Sequence, residues 1–367
     1  MNAAPAPFTF VRAMREDRGR FAALSDSRVL IYWPHGLGDW AHLGAIVPLL
    51  EPSNAYAATR FGDDYAAILE GRPEIAVLPS GTLAVGDGQD QGAKHLGLSL
   101  RRLRGAPARA LLPAQLSANV RAFAPDALLW TDYPETEGRT AYPFHTKARN
   151  LARSLVRSER LREFDLSAPL PNLIDFAPPP PTQRWVDERL AAFAPAGTKL
   201  CVVSRTGFTA ARKNWGDDTA AARRFAELLR RDDARWRVLT MDDEPLGGAA
   251  AGFRELFGAS DEPFARLYKA LAARTDLFVG VPAGPLHVTM ARGGIPVVGL
   301  WLAHHPDWYD EPNPDAIHLV GSYVRERRFD RRPATVTKPP SLRHRLSYLD
   351  SREVPAAAVF EAARQLL

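Results

Sequence analysis

Apolar residues recur along this chain with two periods, and the periods alternate. Short unbroken apolar runs at 28–33, 55–59, 75–78 and 127–131 predict buried strands. Between them the spacing turns helical. From Asp39 onward, Trp40, Leu43, Val47 and Leu50 share one face, and Pro48 should kink or end that helix. Helices are also predicted over 63–69, 114–123 and 145–157. Residues 80–112, rich in Gly and Arg, give no clear element, and the first dozen residues read as unstructured.

The second half alternates more cleanly. Strands are predicted at 199–204, 235–241, 276–280, 296–301 and 316–320. Helices fall at 217–231, 262–274, 286–292 and 355–367, the last free to pack on either half. Apolar strands alternating with helices imply a parallel sheet covered on both faces. Such sheets bind ligands beyond the carboxyl ends of their strands, so the loops after 33, 204, 241 and 280 are the places to search.

A chain of 367 residues exceeds the roughly 250–300 that one core supports. The run Pro178-Pro179-Pro180-Pro181 is the clearest punctuation, and four prolines favour a stiff extended segment. The predicted division is therefore a domain over 1–177, a linker over 178–181, a domain over 182–345 and a helical segment over 346–367. The fold class is α/β.

Charge and cysteine content narrow the picture. The single cysteine, Cys201, excludes an internal disulfide and fits a reducing cytoplasm. No apolar stretch reaches the roughly 18 residues that span a bilayer, and the first residues lack the order of a signal peptide. The net charge is +5, with arginines clustered at Arg101, Arg102, Arg104 and Arg109 and again over 325–332. Such surfaces suit anionic ligands or membrane faces. No nucleic-acid motif accompanies them, so nucleic acid is not an expected partner.

Three loops carry candidate chemistry. The first, Gly36-Leu37-Gly38-Asp39, lies between a strand and a helix. Glycine permits a sharp turn and close approach, while Asp39 either caps the helix or serves as a cleft-facing carboxylate, with His42 three residues on. A dinucleotide fingerprint would need a third glycine where Ala41 stands, which argues against a nicotinamide enzyme. The second loop, Ser204-Arg205-Thr206-Gly207 followed by Lys213-Asn214-Trp215, offers hydroxyls, amides and one lysine suited to phosphate. In the third, the strand at 276–280 enters the turn Ala283-Gly284-Pro285. The amides of that turn, at a helix start, can bind phosphate, and His287 adds a donor.

Together these motifs resemble the ADP-heptose:lipopolysaccharide heptosyltransferase family, glycosyltransferase family 9. Gly38-Asp39-Trp40-Ala41-His42 is similar to the family's N-terminal signature. Lys213-x-Trp215 matches its Lys-x-Trp. Gly284, His287, Ala291 and Gly294-Ile295-Pro296-Val297-Val298 match the C-terminal signature in order and spacing. The resemblance covers most of 28–320. Pro282 and Ala283 depart from it, standing where the family has an Asp and a Ser or Thr.

The resemblance implies a GT-B fold, two Rossmann-like domains facing an interdomain cleft. The N-terminal domain would hold a glycan or glycolipid acceptor, such as lipopolysaccharide core, with Arg101, Arg102 and Arg104 as acceptor contacts. The C-terminal domain would hold a nucleoside-diphosphate sugar of ADP type. The implied reaction is an inverting, metal-independent transfer of heptose or a related sugar, needing no cofactor. Asp39 would be the general base, with His42 next in line. The donor would meet Gly38, Arg205, Thr206, Lys213, Ala283, Gly284, Pro285 and His287. The ribose partner would be one of Asp242, Asp243 and Glu244, just after the strand that ends at Met241. The expected place is the cytoplasm, with room for peripheral contact at the inner membrane face. The Pro282 and Ala283 departures keep open a nucleotide-sugar-binding homologue without catalysis.

Overall fold

The computed structural model describes residues 9–12, 29–32, 37–44, 57–58, 67–70, 123–130, 177–207, 214–216, 218–242, 246–248, 250–258, 260–303, 306, 315–322, 346–351 and 353–367. The predicted strand at 75–78, the helix at 145–157 and the cluster Arg101, Arg102 and Arg104 lie outside them. So do Lys213, Asp243 and Glu244.

Two compact units divide the chain. The first holds Met1–Gly36 and His42–Asp175. The second holds Leu37–Ala41 and Phe176–Leu367. The chain therefore enters the second unit for five residues long before it joins it for good, which no contiguous division of the sequence foresees.

The first unit contains a parallel sheet of β1 (Thr9–Arg12), β2 (Val29–Tyr32), β3 (Ala57–Ala58) and β4 (Ala127–Trp130), in the order β1-β4-β2-β3. Strand β1 corrects the expectation that the first dozen residues lack structure. Four residues among Ala and Pro are too few for a periodic signal, yet Thr9 to Arg12 run in register along Ala127 to Trp130. Helix α1 (Leu37–Gly44) begins two residues before the predicted Asp39.

The second unit is built on seven parallel strands. They are β5 (Lys199–Ser204), β6 (Trp236–Thr240), β7 (Ala250–Gly252), β8 (Leu277–Gly280), β9 (Val297–Trp301), β10 (Ala316–Val320) and β11 (Leu346–Tyr348). Their order is β11-β10-β9-β8-β5-β6-β7, all pairs parallel. Among the described residues, helices α2 (Pro180–Ala191), α3 (Ala220–Asp232), α4 (Phe253–Phe257), α5 (Phe264–Ala272), α6 (Gly284–Arg292) and α7 (Ala356–Leu366) belong to the same unit.

Residue choice explains these elements. The central strands are apolar on both faces because both are covered: β8 and β9 are buried along their whole length. On α3, Ala222, Phe225, Ala226 and Leu229 are buried at helical spacing. Helix α7 packs on α3, β9 and β10. The segment 346–367 is thus part of the second unit, contributing an edge strand to its sheet as well as a helix.

The proline run needs a correction. Pro179 is extended, at φ −53° and ψ 136°, but Pro180 and Pro181 open α2. A proline fits the first helical turn because its missing N–H would have no partner there. The stiff segment therefore stops at Pro179. The short β7 and α4 had no clear signal in sequence.

Trp215 ties this unit's chain end to its core. It is 1% exposed, meets Phe225 edge-on with ring centroids 6.1 Å apart, and donates its indole N–H to Val354 O at 2.8 Å. Trp215→Phe keeps a ring but leaves that buried carbonyl without its donor. A loss of about 1–3 kcal/mol is expected, read as a lower urea midpoint at unchanged m value. An unchanged midpoint would mean that the bond contributes nothing net.

Candidate active site at the strand ends of the second unit

Strands β8, β5 and β6 are neighbours in the sheet, so the loops that leave their carboxyl ends emerge side by side. These are three of the four loops that sequence singled out. The fourth, before α1, reaches the same unit through Leu37–Ala41.

The start of α6 is the centre of the arrangement. No side chain caps it. Two of its expected amide donors are accounted for differently than sequence implied. The Ala283 N–H is spent on Val281 O at 2.7 Å in a tight turn, and Pro285 has no N–H. His287 N–H already returns to Ala283 O at 3.3 Å. The amides of Gly284 and Leu286 are therefore the first-turn donors that the helix itself does not use.

That turn is anchored from α5. The Tyr268 hydroxyl lies 3.1 Å from Pro285 O and 2.6 Å from Thr289 Oγ1, and Thr289 Oγ1 donates to Pro285 O at 2.8 Å. Burial pushes the Tyr268 phenol well above its ordinary pKa, so it stays a donor at neutral pH. Tyr268 in turn stacks on Phe264, with centroids 6.0 Å apart. Sequence reading missed this support. Its signal was a hydroxyl on an otherwise apolar helix face. At the far end, Gly293 and Gly294 take φ of +68° and +67°, a region that L side chains rarely adopt, and turn the chain into β9.

The start of α1 lies against the start of α6. A Cβ on Gly38 would stand 2.5 Å from His287 Cδ2, and a Cβ on Gly284 would stand 2.8 Å from Leu37 Cβ. Neither glycine has room for a methyl group. Sequence reading assigned this freedom to close ligand approach; here it lets two helix starts meet. Leu37, Trp40, Ala41 and His287 are all buried. The buried Trp40 indole N–H has no hydrogen-bond partner among the described residues. Asp39 is the third residue of α1, so it belongs to the first turn and is not the residue before it. In a first helical turn a carboxylate is favoured by the helix dipole. The side chains of Asp39 and His42 lie outside the described residues.

The loop after β5 has a closed neck. Trp215 N–H donates to Arg205 O at 2.8 Å, and Gly207 N–H to Asn214 Oδ1 at 3.0 Å. Residues 208–213, including Lys213, lie outside the described residues. Arg205 and Asp242, both expected at the donor, are spent on each other. Their ion pair measures 3.0 Å between Nε and Oδ2, with the side chains only 9% and 8% exposed. Thr206 donates its hydroxyl to Asp242 Oδ1 as well.

No protein-family model matches this chain, and no curated protein matches it by sequence. Solved structures match across nearly its full length. The glycosyl transferase family 9 from Veillonella parvula aligns with a TM-score of 0.51 at 14% identity, covering 94% of this chain and 97% of its own. The E. coli ADP-heptose LPS heptosyltransferase II gives 0.52 at 14% identity, over 92% and 98%. The iron-containing dodecameric glycosyltransferase TibC from enterotoxigenic E. coli gives 0.51 at 15%, over 93% and 76%. The chain has the GT-B fold of these glycosyltransferases. The fold expected from three short motifs is thereby borne out. At such identity the likeness speaks for the fold, and the chemistry must be argued from the residues.

The packing of the two helix starts gives a direct test. Gly38→Ala drives a methyl group into the His287 ring and should cost about 1–3 kcal/mol, as overpacking does. Differential scanning calorimetry should show a lowered melting temperature, partly regained when His287→Ala is added. A Gly38→Ala protein as stable as the parent would contradict the contact.

Proposed function

We propose that this protein is a glycosyltransferase that moves a sugar, heptose or a related one, from a nucleoside-diphosphate donor to a glycan acceptor such as lipopolysaccharide core. The single observation that carries the reading is the meeting of two helix starts, Leu37–Ala41 and Gly284–His287, within one unit. Each helix start presents the positive end of its dipole, worth roughly half a unit charge, and the start of α6 has no side-chain cap on its amides. A diphosphate is the ligand such a place favours.

In this reading the Asp39 carboxylate removes the proton from an acceptor hydroxyl. The acceptor oxygen attacks the anomeric carbon as the bond from that carbon to the diphosphate oxygen breaks. The electron pair leaves with the nucleoside diphosphate, and the configuration inverts. Lys213, His287 and the amides of Gly284 and Leu286 stabilise the charge that develops on the departing diphosphate. No metal ion is required. With Asp242 committed to Arg205, Asp243 and Glu244 are the carboxylates left for the ribose. Arg101, Arg102 and Arg104 hold an anionic acceptor. The donor base is adenine, by similarity to the heptosyltransferase fold.

Asp39→Asn separates catalysis from structure. A first-turn carboxylate contributes about 0.3–1 kcal/mol through the helix dipole, whereas a general base contributes roughly 10²–10⁴-fold in rate. The expected variant keeps nearly its melting temperature and its affinity for ADP and loses at least about a hundredfold in transfer. Substantial transfer by that variant would move the base elsewhere, with His42 the next candidate. Lys213→Ala should weaken ADP binding about ten- to hundredfold, the worth of a charge-assisted hydrogen bond, as measured by calorimetric titration. Unchanged affinity would remove Lys213 from the donor site.

Pro282 and Ala283 favour one second reading, a nucleotide-sugar-binding homologue without transfer. That reading predicts intact donor affinity and no transfer to any acceptor, even in the wild-type protein.

A further inference from the structure

Strands β5 and β6 pair in parallel, with Val203 opposite Thr240, so Arg205–Gly207 and Met241–Asp242 leave the sheet together. There the Asp242 carboxylate is fully engaged by the protein itself. Oδ1 accepts the Thr206 hydroxyl. Oδ2 accepts the Thr240 hydroxyl at 3.3 Å and lies 3.0 Å from Arg205 Nε. The Asp242 N–H returns to Thr240 Oγ1 at 3.2 Å. Arg205 reaches further still, donating from Nη1 to Asp218 O at 3.2 Å just ahead of α3.

Burying a charged pair to this degree is costly, and replacing such a pair with apolar residues is often neutral or stabilising. What the pair does supply is a fixed geometry. Arg205 is the first residue of the loop neck that Trp215 and Asn214 close, and Lys213 precedes Asn214 directly. Asp242 is the residue from which 243–245 depart. A single ion pair therefore sets the take-off of both loops that carry proposed donor contacts.

We propose that Asp242 and Arg205 are positioning residues that lock these two loop necks together and do not themselves touch the donor. The proposal rests on the donor-binding reading for its purpose, but its geometry can be tested without a ligand. Asp242→Asn removes the charge and keeps the shape. Thr206→Val is a milder variant that spares the ion pair.

Hydrogen exchange on the ligand-free protein is the first measurement. In both variants the Gly207 and Trp215 amides should exchange faster, by about tenfold or more in Asp242→Asn, while amides in β5 and β8 keep their protection. Unchanged exchange at the neck would overturn the lock. Faster exchange everywhere would also overturn it, by reducing the pair to a contributor to global stability.

The second measurement is calorimetric titration with ADP and with 2′,3′-dideoxy-ADP. A positioning residue weakens both by the same factor, about tenfold in Asp242→Asn, because the ribose hydroxyls are not its partners. If the variant weakens ADP alone and erases the difference between the two nucleotides, Asp242 touches the ribose and the proposal fails. Should the wild-type protein bind neither nucleotide, the donor-binding reading falls, and the exchange result still decides the lock.

Discussion

At the start of α1 the backbone of Gly38 lies against the His287 ring, and at the start of α6 the backbone of Gly284 lies against Leu37. The contact is reciprocal, and each half of it requires a residue without a side chain. It brings two helix N-termini into one place, where their partial positive charges add and where an anion would offset their mutual repulsion. Everything else at the candidate site is arranged around that contact. Tyr268 and Thr289 hold the α6 turn by its Pro285 carbonyl, and the Gly293-Gly294 turn ends the helix and returns the chain to the sheet.

The sheet supplies the other half of the construction. Strand order β8-β5-β6 is what makes loops from residues 205, 242 and 283 neighbours despite separations of up to 78 positions in sequence. Rigid apolar strands fix where the loops begin. Polar bonds at the loop necks, between Arg205 and Trp215, Gly207 and Asn214, and Arg205 and Asp242, fix how they leave. Trp215 then links this polar layer to the end of the chain through Val354. A site of this kind depends on supports as much as on the groups that would meet a ligand.

Much of the fold was legible because buried parallel strands advertise themselves. Lys199–Ser204 and Ala316–Val320 were bounded to the residue, and β8 and β9 to within one. Strands β1 and β7 and helix α4 were not: β1 follows an Ala- and Pro-rich stretch, β7 is Ala-Ala-Gly, and the five residues of α4 are too few to establish a helical period. The Pro178–Pro181 run misled because proline both stiffens extended chain and suits a helix's first turn, and sequence does not say which. At the site, Gly38 and Gly284 mark the joined helix starts, and the loops that sequence singled out after β5, β6 and β8 leave neighbouring strands. Some groups there are engaged within the protein itself, which sequence does not show. Arg205 and Asp242 looked like ligand contacts because they follow strand ends, and only their pairing in three dimensions shows that their charges are already spent. The placement of Leu37–Ala41 with the second unit is a long-range contact with no local signature.

The central claim is that the joined helix starts recognise a diphosphate, and a calorimetric series with adenosine, AMP and ADP tests it most directly. Each added phosphate should bring a further charge-assisted contact, so ADP should bind at least about tenfold more tightly than AMP, and adenosine most weakly of all. Equal affinities across the series, or no binding of ADP, would contradict the account.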